Sequence, residues 1–66
     1  MITFTYTVRG RFSFFLNNKA IKKKEMLSLI DKKENEWEQY VTLLFRSGKL
    51  SGDLRGIIDK TGIKLI

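Results

Sequence analysis

The start of the chain alternates strictly between apolar and polar side chains. From residue 2 to residue 9, every even position is apolar and every odd position is threonine or arginine. A period of two, built from β-branched and aromatic residues, is typical of a half-buried β-strand. The alternation resumes at residues 12–16, after Gly10. The first sixteen residues are therefore predicted to form an antiparallel β-hairpin.

The length of the hairpin loop follows from the two apolar sets, which must share one face of the sheet. A two-residue loop at Arg9 and Gly10 would place the sets on opposite faces. A loop of three residues, Arg9 to Arg11, places them on one face with Val8 opposite Phe12, so we prefer it. This loop has glycine in the middle, whereas the common three-residue loop has its left-handed residue last. The turn type therefore stays open.

A second turn is indicated by Asn17 and Asn18, because asparagine tolerates positive φ. This turn would fold residues 19–21 back as a short third strand. A first helix is predicted to start near Lys23 and to end near Lys33. Its apolar residues recur at helical spacing, at positions 26, 27, 29 and 30.

The second helix has the clearest pattern. Asn35 is its predicted N-cap, and Gly48 is its predicted end. Its apolar residues follow the i, i+3, i+4, i+7 and i+8 spacing of one continuous helical stripe. We expect this stripe to be buried against the sheet. Its members are Trp37, Tyr40, Val41, Leu44 and Phe45.

The C-terminal segment is predicted to contain a short third helix and a final strand. Ser51 is a suitable helix cap, and Leu54, Ile57 and Ile58 have helical spacing. Gly62 would end this helix, and residues 63–66 have the composition of a strand. The predicted fold class is thus α+β: an N-terminal antiparallel β-hairpin with a short third strand, covered by two or three helices, with a short C-terminal strand. We predict one small domain over residues 1–66.

The composition argues against catalysis and against a metal site. The chain has neither cysteine nor histidine, so a disulfide, a thiolate metal site and the usual general base are all excluded. The glutamates at positions 34, 36 and 38 stand at a predicted helix start, where they stabilise the helix dipole. We therefore expect a non-enzymatic protein with no cofactor and no metal ion.

Positive charge is concentrated near the N-terminus. Residues 1–24 carry six basic side chains and no acidic ones, whereas residues 25–66 carry seven of each. Lysines at the start of the first helix are unusual because the positive end of the helix dipole repels them. This local cost suggests that they meet an anion, although a merely solubilising surface remains the alternative. The candidate binding cations are Arg9, Arg11, Lys19, Lys22, Lys23 and Lys24.

Phe15 is the candidate aromatic contact, because the alternation places it on the same face as Ser13 and Arg11, away from the apolar set. It could contact a partner or a second copy of the chain, pack locally, or stack on a base.

We expect a binding module associated with nucleic acid or with a nucleoprotein complex, since nucleic acid is the commonest polyanion. The alternative is a small inhibitor or adaptor, of the type made by phages and mobile elements, that binds a host protein such as a nuclease or another host enzyme. A homodimer is a third option. No signal peptide, membrane-spanning segment or basic amphipathic helix is evident, so a cytoplasmic location and no membrane partner are expected.

Overall fold

The structure is a computed structural model that describes residues 1–66. Five strands form one antiparallel sheet in the order β3-β2-β1-β4-β5, and two helices lie between β3 and β4 in the chain. The elements are β1 (Ile2–Tyr6), β2 (Phe12–Leu16), β3 (Lys19–Ile21), α1 (Lys23–Leu29), α2 (Glu34–Arg46), β4 (Leu54–Asp59) and β5 (Gly62–Leu65).

The predicted third helix is wrong, and with it the predicted architecture. Residues 54–59 form β4, which pairs antiparallel with β1, and β5 continues the sheet beyond it. The sheet therefore combines N-terminal and C-terminal strands and is covered by two helices, so it is not a hairpin under two or three helices. Without β4, the second edge of the buried strand β1 would have no hydrogen-bond partners.

Gly56 shows why this segment is a strand. It pairs with Phe4, and a Cβ atom at this position would clash with the Phe4 ring and with the backbone of Lys64. Glycine inside a helix would have cost about 1 kcal/mol relative to alanine. In β4 the missing side chain instead makes room for Phe4, which is almost completely buried.

The predicted register of the first hairpin is also wrong, although its faces are as predicted. Tyr6 pairs with Phe12, whereas the predicted partner of Phe12 is Val8. The Thr7 N–H donates to the Arg11 carbonyl at 2.9 Å, which leaves a loop of Val8, Arg9 and Gly10. Gly10, at φ +83°, is then the last loop residue, where the left-handed conformation is required. A shift of two residues leaves the strand side chains on their predicted faces, but Val8 leaves the predicted apolar face for the loop, where it is 74% exposed.

Both helices pack on one face of the sheet. The Trp37 ring from α2 lies 5.6 Å from the Phe12 ring and 5.9 Å from the Phe14 ring, in edge-on geometry. From α1, Met26 and Leu27 are buried in the same cluster. The complete buried core is Ile2, Phe4, Tyr6, Phe14, Met26, Leu27, Ile30, Trp37, Leu50 and Ile58.

The helix boundaries and one buried position differ from the predictions. α1 ends at Leu29, followed by a left-handed residue, Asp31 at φ +56°. α2 begins one residue before the predicted cap, and the Lys33 N–H donates to Glu36 Oε1 at 3.3 Å. Phe45 is 63% exposed. Phe45 follows Trp37 by eight residues, and at about 100° per residue it lies about 80° around the helix from Trp37, at the margin of the stripe.

Tyr40 anchors α2 to the edge of the sheet. Its hydroxyl accepts a hydrogen bond of 2.9 Å from the N–H of Ile63 in β5. This backbone donor is therefore satisfied without another strand, which protects an otherwise open sheet edge.

Neither helix has the length and apolar character that crossing a membrane requires.

Candidate functional site

The sheet has one face without a covering layer. We call it the open face. Its two large apolar side chains, Phe15 and Ile57, are half-buried, and neither belongs to the core or to the apolar residues packed against the core. The strand register assigns nine side chains to this face: Thr3, Thr5, Ser13, Phe15, Ala20, Arg55, Ile57, Asp59 and Lys64.

One row of paired residues crosses the open face from edge to edge. It runs Ala20, Phe15, Thr3, Ile57 and Lys64, with one residue from each strand. Neighbouring strands are about 4.8 Å apart, so this row spans about 19 Å. Phe15 lies between two small side chains, and it takes part in none of the aromatic ring contacts that join the core aromatics. The ring is therefore free of the core.

Small hydroxyl side chains fill the centre of the open face. Thr3 and Thr5 come from the central strand, and Ser13 pairs with Thr5 from the neighbouring strand. Thr7 continues the column towards the hairpin loop, where its hydroxyl accepts the Arg11 N–H at 3.3 Å. A hydroxyl group can both donate and accept a hydrogen bond, so this centre can bind hydrogen-bond donors as well as acceptors of a ligand.

Cations stand on both sides of this neutral centre. Arg55 pairs with Thr5 from β4, and Lys64 pairs with Ile57 from β5. On the other side, the alternation of β2 and β3, continued by one residue, assigns Arg11 and Lys22 to the open face. Lys22 and Arg55 are three strand spacings apart, about 14 Å, which leaves room between them for an apolar or aromatic group.

The two carboxylates near the open face already have partners. Asp59 Oδ1 accepts hydrogen bonds from the Thr61 hydroxyl and the Thr61 N–H, and these bonds, with Lys64 nearby, lower the pKa of Asp59. Lys64 Nζ lies 3.4 Å from Asp59 Oδ2, so part of its charge is offset. Asp53 Oδ1 accepts the Val8 N–H at 3.0 Å, which ties the hairpin loop to the segment before β4.

The sequence-predicted site residues do not all meet. Phe15, Arg11 and Lys22 belong to the open face or its margin. Arg9 is exposed in the hairpin loop. Lys19 is exposed at the opposite end of β2, since it pairs with Leu16 and not with Phe12.

Lys23 and Lys24 belong to the helical layer, which α1 and α2 form on the other face of the sheet. Lys23 Nζ lies 2.8 Å from Glu34 Oε1, and this hydrogen bond raises the pKa of Lys23 and lowers the pKa of Glu34. Lys24 is exposed on α1, and its charge contributes to the lowered pKa of Glu34. Glu34 of the same chain thus partly neutralises the charge of Lys23. The six predicted cations therefore do not form a single basic patch.

Four residues of the open face come from the C-terminal hairpin and were not among the sequence-predicted site residues: Arg55, Ile57, Asp59 and Lys64. The cause was the assignment of residues 51–62 to a helix, which left the final strand without its hairpin partner. A usable signal was present, because Asp59 and Gly62 bracket Lys-Thr as a turn between two runs rich in isoleucine. Two such runs around a turn predict a hairpin, whose alternation would have placed all four on one face.

Net charge separates between the two layers. Residues 23–46, which include both helices, carry five basic and five acidic side chains. The remaining residues, which form the sheet and its loops, carry eight basic and two acidic side chains. The net charge of +6 therefore lies outside the helical segment, and the open face with its margin carries four of these cations, Arg11, Lys22, Arg55 and Lys64, and one carboxylate, Asp59.

Comparisons of the chain with protein-family models, with curated proteins and with solved structures found no match.

Proposed function

We propose that this protein is a non-enzymatic binding module that associates with nucleic acid, alone or in a nucleoprotein complex, through its open face. The observation that supports this proposal most strongly is the separation of charge. Residues 23–46, which include both helices, carry no net charge, whereas the open face with its margin carries four cations and one carboxylate. Contacts of arginine and lysine with phosphate groups supply the sequence-independent part of the affinity of proteins for nucleic acid.

The arrangement of the open face supports the same proposal. Cations flank a centre of hydroxyl groups and one phenyl ring, so charged and neutral parts of a ligand would meet different zones. A nucleic-acid strand has this division, with charged phosphates and uncharged bases.

The test is a binding titration of the wild-type chain with a fluorescein-labelled oligonucleotide at several salt concentrations. Four phosphate contacts, from Arg11, Lys22, Arg55 and Lys64, predict a slope of log affinity against log salt between about −2.8 and −3.6. Binding that is absent, or that does not change with salt, would contradict the proposal.

The matched variants are Arg55→Gln on the open face and Arg46→Gln at the end of α2. We expect Arg55→Gln to weaken binding several-fold and to reduce the salt slope by about 1, because one phosphate contact is lost. Arg46→Gln removes the same charge from the helical layer and should leave the slope unchanged. Equal effects of the two variants would mean that net charge alone, without the open face, determines binding.

A second candidate function is the binding of a host protein, as an inhibitor or adaptor. It is favoured by a groove of about 850 Å³ where β3 ends beside β2. Phe12, Trp37 and Val41 line this groove, and no strand pairs with Phe12 on that side. An extended segment of a partner could add there as a strand. This candidate would be favoured over the first if the chain had no affinity for the oligonucleotide and a host protein copurified with it at a fixed stoichiometry after nuclease treatment.

A further inference from the structure

We infer that the ligand of the open face is single-stranded nucleic acid, with an unpaired base stacked on Phe15. This inference rests on the proposed function and specifies its ligand. It follows from three features of the open face: the partial exposure of Phe15, the size of its neighbours and the position of the cations around it.

The Phe15 ring takes no part in the buried core. It points away from the core, and no other ring contacts it, whereas Phe12 and Phe14 of the same strand stack on each other with centroids 5.7 Å apart. An aromatic ring on an uncovered sheet is the usual platform for base stacking in proteins that bind single strands.

The neighbours of Phe15 are too small to cover it. Ala20 and Thr3 are its partners across the two adjacent strands, and Ser13 is two positions before it on the same face. No bulky side chain stands beside the ring on these three sides, so a planar base can approach it. On the far side of Thr3, Ile57 rises about 10 Å from Phe15 and gives a second apolar contact.

Flanking cations suit a single strand better than a duplex. In an undistorted duplex the faces of the bases are stacked on one another, so the central ring would find no unstacked base to contact. A single strand can turn its bases onto the ring while its phosphates lie towards Arg11 and Lys22 on one side and Arg55 on the other. The hydroxyl groups of the central strand then lie under base edges and sugar.

The experiment compares a 12-nucleotide oligothymidylate with a 12-base-pair duplex of mixed sequence, both labelled with fluorescein, at one salt concentration. We expect the wild type to bind the single strand at least about tenfold more tightly than the duplex, since stacking is added to the phosphate contacts. Phe15→Leu should weaken single-strand binding by about fivefold or more and leave duplex binding unchanged. Phe45→Leu, the same substitution at an exposed ring on α2, is the matched control and should change neither affinity.

A Phe15→Trp variant provides a measurement that does not depend on the folding of Phe15→Leu. Its indole keeps the stacking surface, so we expect the variant to bind oligothymidylate with wild-type affinity. We also expect oligothymidylate, but not the duplex, to quench the fluorescence of the added indole. Quenching is read against the wild type, in which Trp37 is buried.

The outcomes separate this inference from the proposed function. Equal affinity for the two oligonucleotides, or an added indole signal that stays unquenched when the Phe15→Trp variant is bound, would overturn the single-strand inference and leave nucleic-acid binding intact. No affinity for either oligonucleotide would overturn both.

Discussion

Gly56 is the residue at which a single added methyl group should disturb both hairpins. A Cβ atom there meets the Phe4 ring from β1 and the Lys64 carbonyl from β5. Neither can move freely, because Phe4 is almost completely buried and the carbonyl belongs to a paired strand. The tolerance of this position is thus set by the packing of its neighbours.

We predict that Gly56→Ala lowers the free energy of unfolding by about 1–3 kcal/mol, the usual cost of overpacking. Urea denaturation followed by circular dichroism gives this value. Ser28→Ala, on the exposed side of α1, is the control and should change stability by less than about 0.5 kcal/mol. An unchanged midpoint for Gly56→Ala would show that β4 and β5 can separate enough to admit a side chain.

At the scale of elements, the parts predicted correctly are those whose pattern had one interpretation. The alternation at residues 2–6 and 12–16 fits a strand only, and the α2 spacing from Trp37 fits a helix only. Leu54, Ile57 and Ile58 fit a helix, whereas Leu54, Gly56 and Ile58 fit a strand. Local pattern does not distinguish these two interpretations. The choice is made by the free edge of β1, which needs a partner distant in sequence.

The candidate site was predictable to the same extent. Phe15 and Arg11 were placed on the open face because β2 was identified. Arg55 and Lys64 were missed because they depend on the C-terminal hairpin. The pairing of Lys23 with Glu34 could not be predicted, because it depends on how α1 and α2 meet.

The Lys23–Glu34 contact between the helices predicts a specific pH dependence. The hydrogen bond from Lys23 lowers the pKa of Glu34 below its value of about 4.3 in an unfolded chain. A lowered folded-state pKa stabilises the fold above the unfolded value, and this contribution disappears as the pH falls through the folded-state pKa. The effect on stability should be small because both side chains are exposed.

The measurement is a carboxyl NMR titration of Glu34. In Lys23→Met we expect the Glu34 pKa to rise towards its ordinary value. Lys24→Met should produce a smaller rise, because Lys24 acts on Glu34 only through its charge. A Glu34 pKa that is insensitive to Lys23→Met would contradict the ion pair and return Lys23 to the set of free cations.

At the scale of the whole molecule, the two layers divide the work of folding and binding. The helical layer supplies core residues on one side and a balanced set of charges on the other. The sheet layer supplies the other half of the core and presents an uncovered, positively charged surface. Such a one-sided field would orient an approaching polyanion towards the sheet, because long-range attraction acts before contact.

This division predicts which part of the molecule responds to a ligand. On titration of the ¹⁵N-labelled chain with oligothymidylate, we expect the largest amide shifts on the open face, at Thr3, Thr5 and Phe15. The amides of the exposed side of α2, at Asn35, Gln39 and Thr42, are the internal reference and should stay nearly constant, because more than the thickness of the core separates them from the ligand. Shifts centred on α2 would place the ligand on the neutral layer, and the separation of charge would then have no role in binding.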